Sequence, residues 1–421
     1  MRSLGLVALA CAALLQGCGR GPGTLPPPTG DRVLLIGVDA ATWAVMQPLI
    51  DAGRLPTFKK LVSEGWSGTL RSMEPMVSPA IWTTIASGKT PDQHGIHGFV
   101  VASPDHGDGV PVTSNLRHAE TLWTIASRSG RRVNVVGWYV TWPVEPVNGV
   151  MVSDRFVPQT LGKEVGGTKA ATPDHPAVHP AELAPELEKL CTRADDFVDP
   201  DERAFHQTFN IYPVDASRVA IAEHLMRERP ADLTMVYIWG VDPVQHQFWQ
   251  YYEPERWVGP PATAEAIGNG RNVIPEYYED VDGFVARLVA GAGPRDTVLI
   301  VSDHGAGPIE RYDPKTGLSG SHRIDGVVIA WGNHVRPGKA GAAPSVVDVT
   351  PTVLELLGLP VGDDMKGRVV TDLLDPAFVA SHPIRKIPTY ETGQTGGDDR
   401  PIPSKMDEGI RERLRSLGYI Q

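Results

Sequence analysis

The sequence predicts an α/β fold with a central, mostly parallel sheet flanked by helices, and two features indicate it. Three short apolar runs, rich in β-branched residues and without polar alternation, occupy residues 33–38, 233–241 and 297–302. Such runs are typical of strands that helices cover on both faces. Helical patterns also alternate with strand patterns along the chain, as expected for a sheet built from right-handed crossovers.

Helices and further strands are predicted from their start and stop residues. Pro56 near a first turn and Gly65 after the last residue delimit one helix. Ser78 is expected as the N-cap of another, with Pro79 as its first helical residue and Gly88 as its terminator. We expect helices over residues 56–64, 78–87, 119–130, 215–229, 277–290, 347–357 and 410–417, and short strands over residues 132–137 and 326–331.

Length and composition fit an ordinary globular protein. The chain has 421 residues, of which 41% are hydrophobic and 21% are charged, so it can form a large core or two domains. The net charge of −11 argues against binding of nucleic-acid polymers, because that function needs a basic surface.

The first residues are predicted to be a targeting segment. A short apolar stretch over residues 4–15 follows Arg2 and is too short to span a bilayer comfortably. Leu-Gln-Gly-Cys at residues 15–18 resembles a bacterial lipobox. We therefore expect a lipoprotein signal peptide over residues 1–17 and a membrane anchor on the thiol of Cys18. A plain secretory signal with an incidental cysteine is the alternative.

Residues 18–30 contain three successive prolines and are predicted to form an extended tether. No acidic residue directly follows Cys18, so retention at an inner membrane is not indicated. We expect a lipid-anchored protein of the cell envelope, on the periplasmic face of an outer membrane. Cys191 would then be the one remaining free thiol, so packing and metal binding must hold the domain together without an internal disulfide.

The rest of the chain divides into segments that differ in composition. Residues 31–373 are predicted to form the main domain. Within it, residues 138–210 are rich in proline, lack a long buried run and are interpreted as a smaller inserted cap that covers one side of the site. Residues 374–421 form a C-terminal extension, in which residues 374–406 are expected to be loosely ordered.

An aspartate follows each of the three buried runs: Asp39, Asp242 and Asp303. In sheets of this class, ligands bind just beyond the carboxyl ends of the strands, so carboxylates from distant parts of the chain can converge there. Each aspartate taken alone is as well explained as a cap of the next helix. Three of them, two with histidines close behind, favour a metal site.

The histidines strengthen that interpretation. His246 lies four residues after Asp242, on the same face of a helical turn. His304 directly follows Asp303, and adjacent residues share a metal only in a tight loop, which the following glycines allow. His322 lies in another glycine-rich loop. Carboxylate and imidazole ligands together suit zinc better than magnesium or calcium, which prefer oxygen ligands.

Ser78 is the candidate nucleophile. The N-terminus of a helix carries partial positive charge, which favours an alkoxide and the phosphate that would replace it. A metal ion on the serine oxygen would lower its pKa further. Without the metal ligands, a simple Ser-Pro helix cap would be the better interpretation.

These motifs together resemble those of the alkaline phosphatase superfamily, and most closely its type I phosphodiesterase and nucleotide pyrophosphatase branch. The resemblance runs from about residue 33 to residue 373, weakly over the middle insertion, and implies a catalytic domain with an alkaline-phosphatase-like fold. The residues that carry it are Asp39, Ser78 to Gly88, His94-Gly95-Ile96, Asp242 with His246, Asp303-His304 and His322.

The resemblance implies two divalent zinc ions and a phosphoserine intermediate. Ser78 would attack phosphorus and expel an alcohol or nucleotide, and water would then release the phosphoserine. Three carboxylates and one alkoxide would balance the charge of the two ions, which would grip the attacking and leaving oxygens. The first ion would be held by Asp242, His246 and His322, and the second by Asp39, Asp303, His304 and the Ser78 oxygen.

The chain departs from the branch at one position. An asparagine that often follows His-Gly-Ile and binds a phosphate oxygen is missing, and His97, Asn115 or Arg117 are the candidates to replace it. The preference for monoesters or diesters therefore stays open. Pro79 directly after Ser78, and Trp82 where sulfatases carry arginine, argue against a formylglycine sulfatase.

The sequence thus favours a di-zinc phosphoric ester hydrolase that acts on phosphodiesters or nucleotide pyrophosphates. A small phosphate ester or a lipid headgroup is the expected substrate. Two alternatives share the same site chemistry: a transferase that moves a phosphoryl or headgroup unit, and a phosphomutase-like enzyme. A non-catalytic envelope lipoprotein is a third alternative, although every one of the seven predicted site residues is retained.

Overall fold

A computed structural model describes residues 26–103, 106–157, 172, 174–192, 211–393 and 400–420. The predicted signal peptide and the lipid anchor at Cys18 lie outside the described residues. Within the described part, every helix is too short or too polar to cross a bilayer. The end of the predicted tether contacts the domain, since the buried Arg131 guanidinium donates to the Pro26 carbonyl oxygen over 2.8 Å.

Strands in the described residues fall into one large sheet and three small ladders. They are β1 (Arg32–Val38), β2 (Trp66–Arg71), β3 (Val100–Ser103), β4 (His106–Pro111), β5 (Val133–Val136), β6 (Gly149–Val152), β7 (Val178–His179), β8 (Leu233–Ile238), β9 (Asp296–Val301), β10 (Gly305–Pro308), β11 (Gly320–Arg323), β12 (Asp325–Gly332), β13 (Gly338–Lys339), β14 (Val361–Gly362) and β15 (Lys386–Ile387).

Helices cover the sheet and connect its strands. They are α1 (Trp43–Asp51), α2 (Pro56–Glu64), α3 (Ser78–Ser87), α4 (Pro91–His94), α5 (Leu122–Arg128), α6 (Ala184–Glu188), α7 (Tyr212–Glu228), α8 (Val241–Tyr252), α9 (Ala264–Gly270), α10 (Val273–Ala290), α11 (Val349–Leu356), α12 (Pro376–Ser381) and α13 (Asp407–Ser416).

The large sheet has the strand order β13-β2-β12-β9-β1-β8-β5-β6-β7. Its five neighbouring strands β9, β1, β8, β5 and β6 are parallel. The strand β12 pairs antiparallel with β9, and β7 pairs antiparallel with β6. The predicted fold class, a mostly parallel central sheet flanked by helices, is confirmed.

The three predicted apolar runs are the centre of this sheet. Every residue of β8 and β9 is buried, and β1 is buried from its second residue onward. Gly37 of β1 pairs with Tyr237 of β8 on one side and with Val301 of β9 on the other. The three strands therefore end at one edge of the sheet, and the loops that follow them meet there.

The start of α3 differs from the prediction. Val77, with extended backbone angles, is the N-cap, and Ser78 is the first helical residue. The predicted terminator is confirmed, because Gly88 adopts the left-handed conformation at the end of the helix.

Two segments are more regular than their composition suggested. In the described part of residues 138–210, β6 and β7 extend the central sheet at its edge. The apolar run of β6 is four residues long, which is too short to identify a strand by its pattern. Residues 374–406 include α12 and β15, so the expectation of loose order was wrong for those stretches.

Candidate metal centre

Two groups of three side chains lie at the edge of the sheet where β1, β8 and β9 end. In each group the potential ligand atoms are within 4.8 Å of one another. These are six of the seven metal ligands predicted from the sequence, divided as the resemblance implied; Ser78 is the seventh. The first group is Asp242, His246 and His322, and the second is Asp39, Asp303 and His304.

Local backbone geometry places the second group. Asp39 directly follows β1, and the next residue, Ala40, has a left-handed backbone with φ of 56°. The Ala40 N–H donates to Asp303 Oδ1 over 3.3 Å, which ties the two loops together. His304 precedes the first residue of β10, Gly305, where a Cβ would lie 2.1 Å from the Asp325 carbonyl oxygen. Only glycine permits this approach. The prediction of a tight loop after His304 is wrong, because the residues that follow it form the strand β10.

The first group comes from a helix and a neighbouring strand. Asp242 and His246 lie one turn apart on α8, with His246 Nε2 3.2 Å from Asp242 Oδ1. His322 lies on β11, which pairs with β10 and so brings this histidine next to His304. Backbone carbonyls face the other ring nitrogens: Gly320 O is 2.8 Å from His246 Nδ1, and Met76 O is 3.2 Å from His322 Nδ1. These contacts aim both Nε2 atoms at the group.

The two groups adjoin and form one centre. The rings of His304 and His322, one from each group, stack with centroids 3.8 Å apart. Within the first group, His246 Nε2 and His322 Nε2 are 2.9 Å apart. Two ions held this way would be close enough to act on a single phosphate.

Four potential ligand atoms are buried without a hydrogen-bonding partner of normal geometry in the described part of the chain. They are Asp39 Oδ1, Asp242 Oδ1, Asp303 Oδ2 and His304 Nε2. Leaving a buried polar atom unsatisfied costs roughly 1–3 kcal/mol, and more for a charged group. Bound cations would satisfy all four, and the mixture of imidazole and carboxylate donors suits zinc. The residues therefore fit a metal centre.

The pKa shifts of the second group also favour a bound cation. Burial raises the pKa of Asp39 well above its usual range, and the charge of Asp303 adds to the effect. Burial also raises the pKa of Asp303, to about 7. Two adjacent buried carboxylates resist joint ionisation unless a positive charge lies between them. For His304, burial lowers the pKa well below its usual value, which favours the neutral, metal-binding form.

In the first group, opposite charges compensate for burial. Burial disfavours the charged form of Asp242, but the facing His246 outweighs it and holds the pKa of Asp242 well below its usual value. Burial likewise lowers the pKa of His246, and the Asp242 carboxylate reverses the effect, so that the net pKa is raised. The carboxylate is therefore ionised and ready to bind a cation.

Two supporting residues carry no signal in the sequence. The Tyr237 hydroxyl, from β8, donates to Asp39 Oδ2. Asp215, wholly buried on α7, accepts hydrogen bonds of 2.8 Å from the N–H groups of Trp239 and Gly240 and from the Tyr277 hydroxyl. Asp215 thus fixes the turn that leads into α8 and orients the first metal ligand. Its position in a first helical turn does not reveal these partners.

Ser78, the first residue of α3, is 2% exposed. Met76, whose carbonyl faces His322, is two residues before it. One turn further along the same face of α3, Trp82 packs edge-on against Tyr237 with ring centroids 5.1 Å apart. A Cβ on Gly37 would lie 2.6 Å from the Trp82 ring, so α3 lies directly on β1. The helix therefore begins beside the ligands.

The three predicted substrate-binding residues are either exposed or hydrogen-bonded to other parts of the chain. His97 is exposed between α4 and β3. Asn115 donates to the Arg400 carbonyl oxygen over 2.9 Å, on the C-terminal extension. The buried Arg117 donates to Val140 O and pairs with Glu145 over 2.5 Å. Since its guanidinium is already paired, Arg117 is better explained as a residue that fixes the fold.

The C-terminal extension also reaches the centre, which the sequence did not indicate. The Tyr419 hydroxyl donates to Asp242 Oδ2 over 2.6 Å. The same oxygen lies 3.0 Å from His246 Nε2 and 3.3 Å from His322 Nε2. Residues 410–417 were predicted to be helical, and α13 confirms a helix there, but no motif marks the tyrosine that follows it.

The fold and the paired Asp/His groups define an α/β protein with a candidate two-metal centre at the carboxyl edge of its sheet. The chain belongs to the type I phosphodiesterase/nucleotide pyrophosphatase family, which it matches over residues 33–355. The predicted resemblance is thereby confirmed. A comparison with curated protein sequences finds no significant match.

Solved structures share the fold. Murine ectonucleotide pyrophosphatase/phosphodiesterase 5, an inactive variant in complex with AMP, aligns with a TM-score of 0.52 at 12% identity, over 82% of this chain and 100% of the other. A putative sulfatase from Bacteroides thetaiotaomicron VPI-5482 aligns with a TM-score of 0.52 at 14% identity, over 82% and 74%.

A phosphonoacetate hydrolase from Sinorhizobium meliloti 1021, in complex with phosphonoformate, aligns with a TM-score of 0.45 at 21% identity. The alignment covers 69% of this chain and 59% of that hydrolase. At 12% and 14% identity, the likeness to the first two structures concerns the fold alone.

Proposed function

We propose that this protein is a zinc-dependent hydrolase of phosphodiesters or nucleotide pyrophosphates that acts through a phosphoserine at Ser78. The family supports the reaction class. The observation that carries the proposal is the set of four buried ligand atoms without partners, divided between two adjoining Asp/His groups. This arrangement has the donor chemistry of a two-zinc centre.

The proposed reaction is a displacement at phosphorus in two steps. When bound, two cations would act as Lewis acids that lower the pKa of the serine hydroxyl and stabilise charge on the phosphate oxygens. Ser78 Oγ would form a bond to phosphorus as the alcohol or nucleotide leaves, and water would then cleave the phosphoserine. The partial positive charge at the start of α3 favours both the serine oxygen anion and the attached phosphate.

Burial contributes to this chemistry. Ser78, Asp39, Asp242 and His304 are each at most 2% exposed, so the centre is shielded from bulk water. In such surroundings a charge interaction is stronger than in water, and fixed ligands need no reorganisation during the reaction. The hydrogen bond that Tyr237 donates to Asp39 and those that Asp215 accepts from Trp239 and Gly240 support the centre.

Turnover of two chromogenic substrates tests the proposal. We expect the zinc-loaded protein to hydrolyse bis-p-nitrophenyl phosphate faster than p-nitrophenyl phosphate, with activity lost on chelation and restored by zinc. Unchanged rates after complete removal of metal would contradict the proposed mechanism. Failure of the zinc-loaded protein to hydrolyse either compound would contradict the proposed hydrolase.

The lipid anchor stays a prediction from the sequence, because Cys18 lies outside the described residues. We propose that the protein is held at the periplasmic face of an outer membrane by this anchor. Labelling of the full chain with a radioactive fatty acid in a bacterial host tests it. Label should be incorporated into wild type and not into Cys18→Ala, and equal labelling of both would contradict the anchor.

A further inference from the structure

We propose that the N-terminal segment holds the metal centre away from the membrane that anchors the protein, so that its substrates are water-soluble phosphoric esters and not lipids of the same bilayer. This inference rests on the proposed function and on the proposed anchor at Cys18. It separates the two substrate classes expected from the sequence, a small phosphate ester and a lipid headgroup.

The first described residues are bound to the amino edge of the central sheet, where its parallel strands begin. The Arg131 guanidinium is 1% exposed and donates to the Pro26 carbonyl oxygen over 2.8 Å. Arg131 lies two residues before Val133, the first residue of β5, which is level with Val33 of β1 across β8. Arg131 therefore fixes the segment at the amino edge.

A second arginine, Arg295, binds the same segment a few residues later. Arg295 directly precedes β9, and its guanidinium donates to the Thr29 carbonyl oxygen and lies 3.3 Å from Asp31 Oδ1. Gly30 has a left-handed backbone with φ of 83°, and a Cβ there would lie 2.7 Å from the Arg295 guanidinium nitrogens. Residues 26–31 are thus held against the domain and do not lengthen the free part of the segment.

The metal centre lies at the opposite edge of the same sheet. Asp39 directly follows β1, and Asp303 lies two residues after the end of β9. The strand β1 has seven residues, and at a rise of about 3.3 Å per residue it is about 20 Å long. Because Asp39 is only 1% exposed, further chain also covers the centre on its outer side. The segment and the centre are therefore separated by at least the length of this strand.

The chain between the anchor and the domain is short compared with this separation. Pro26 follows Cys18 by eight residues, which reach at most about 29 Å when fully extended. A flexible chain of eight residues has an average end-to-end distance of only about 16 Å. To bring the centre to the bilayer, the domain would have to turn over and carry Pro26 to its far side, which requires an almost fully extended chain. Few conformations meet this condition, so the amino edge faces the bilayer.

This orientation selects the substrate. The phosphates of lipids lie in the headgroup region, so their hydrolysis requires contact between the metal centre and the bilayer surface. A centre on the far side of the domain does not make that contact. Soluble phosphoric esters reach the centre by diffusion in any orientation of the domain.

Two p-nitrophenyl phosphodiesters with the same reacting group test the proposal. One is water-soluble, and the other carries a long-chain diacylglycerol as its second alcohol and is embedded in vesicles of phosphatidylethanolamine and phosphatidylglycerol. Lipidated, zinc-loaded full chain is reconstituted in these vesicles. A matched protein carries a flexible Gly/Ser insertion of about 20 residues after Gly23, which extends the maximum reach to about 100 Å.

Both proteins should hydrolyse the soluble ester at the same rate. We expect the protein with the insertion to hydrolyse the embedded ester at least about 10-fold faster than wild type, because a linker that does not span two sites keeps their effective concentration near zero. Equal rates of the two proteins on the embedded ester would overturn the proposal.

Energy transfer to an acceptor lipid measures the orientation without turnover. A single donor dye is attached to Arg132→Cys or to Lys315→Cys, both in a Cys191→Ser background. Arg132 is exposed at the amino edge, and Lys315 is exposed in the loop before β11, the strand that carries His322. We expect stronger transfer from position 132. Stronger or equal transfer from position 315 would overturn the proposal.

The outcomes separate this proposal from those on which it rests. If neither protein hydrolyses either ester, the proposed function is wrong, and energy transfer still reports the orientation. If the full chain incorporates no fatty acid at Cys18, the anchor is wrong and this proposal fails with it, while the hydrolase is unaffected.

Discussion

The imidazole rings of His304 and His322 are stacked, with centroids 3.8 Å apart and planes 28° from parallel. The two residues belong to different ligand groups, so this contact is what joins the groups into one centre. Two protonated imidazoles at this separation would repel each other, and burial holds the pKa of His304 well below its usual value. His304 is therefore neutral, which is the form that binds a metal ion.

Replacement of the proposed nucleophile should separate binding from chemistry. We expect Ser78→Ala to retain wild-type zinc content and to lose turnover by at least about 1,000-fold, since the covalent step is removed. Ser87→Ala is a matched control on the same helix, because that side chain is also buried but bonds only to the backbone. Wild-type rates in Ser78→Ala would show that the assignment is wrong.

The adjacent buried carboxylates of Asp39 and Asp303 should make the metal-free protein less stable than a variant that lacks one of them. Because burial raises the pKa of Asp303, its ionisation costs folding free energy as the pH rises through that value. At pH 8, without metal, we expect Asp303→Asn to be more stable than wild type by roughly 1–3 kcal/mol. It should therefore unfold at a higher temperature.

Zinc should stabilise wild type more than Asp303→Asn. Binding stabilises wild type by about 2.7 kcal/mol at a free concentration 100-fold above Kd, and Asp303→Asn should gain much less. Thermal unfolding with chelator and then with zinc measures both effects. A metal-free Asp303→Asn protein that is less stable than wild type would contradict the electrostatic argument.

Asp215 should matter to the metal centre although it holds no metal. Its carboxylate fixes Trp239 and Gly240 just before α8. We expect Asp215→Asn to destabilise the fold by about 1–3 kcal/mol and to weaken zinc binding. Tyr277→Phe removes only one of the bonds to this carboxylate and should have a smaller effect. Equal zinc affinity of Asp215→Asn and wild type would show that Asp215 acts on stability alone.

His94 should make stability depend on pH. Burial lowers its pKa from 6.5 to about 3, and the charge of Arg117 adds to the effect. Below pH 6.5 the unfolded chain therefore binds a proton that the folded chain does not, and stability falls as pH decreases, by up to about 1.4 kcal/mol per unit. Above pH 6.5 this contribution is constant.

Urea unfolding at pH 7.5 and pH 5 tests this contribution. His94→Gln removes the titrating group. From pH 7.5 to pH 5, the stability of this variant should therefore fall by about 2 kcal/mol less than that of wild type. Identical pH dependence in the two proteins would show that His94 is protonated in the folded state.

The sequence predicted the centre of the fold because its signals were local. The buried strands β1, β8 and β9 are unbroken apolar runs, and the aspartate after each run marks the edge of the sheet. Ligand spacing was equally informative for His246, because four residues on a helix return to the same face. These features need no knowledge of distant contacts.

The parts that the sequence did not reveal depend on contacts between distant residues. Tyr419 lies more than 170 residues from His246 in the chain, and the residues around it have no spacing that relates them to the ligands. Asp215 bonds to backbone N–H groups, which every residue but proline carries. The short strand β6 joins the sheet through its neighbour β5, and four apolar residues do not indicate such a pairing.

Metal content is the most direct measure of the central claim. Elemental analysis of the purified chain, dialysed against zinc and then against metal-free buffer, should find two zinc ions per chain. Asp242→Asn with His246→Ala should hold one ion, and adding Asp39→Asn with Asp303→Asn should leave none. Wild-type protein that retains no zinc, or variants that retain as much as wild type, would contradict a metal centre built from these two groups.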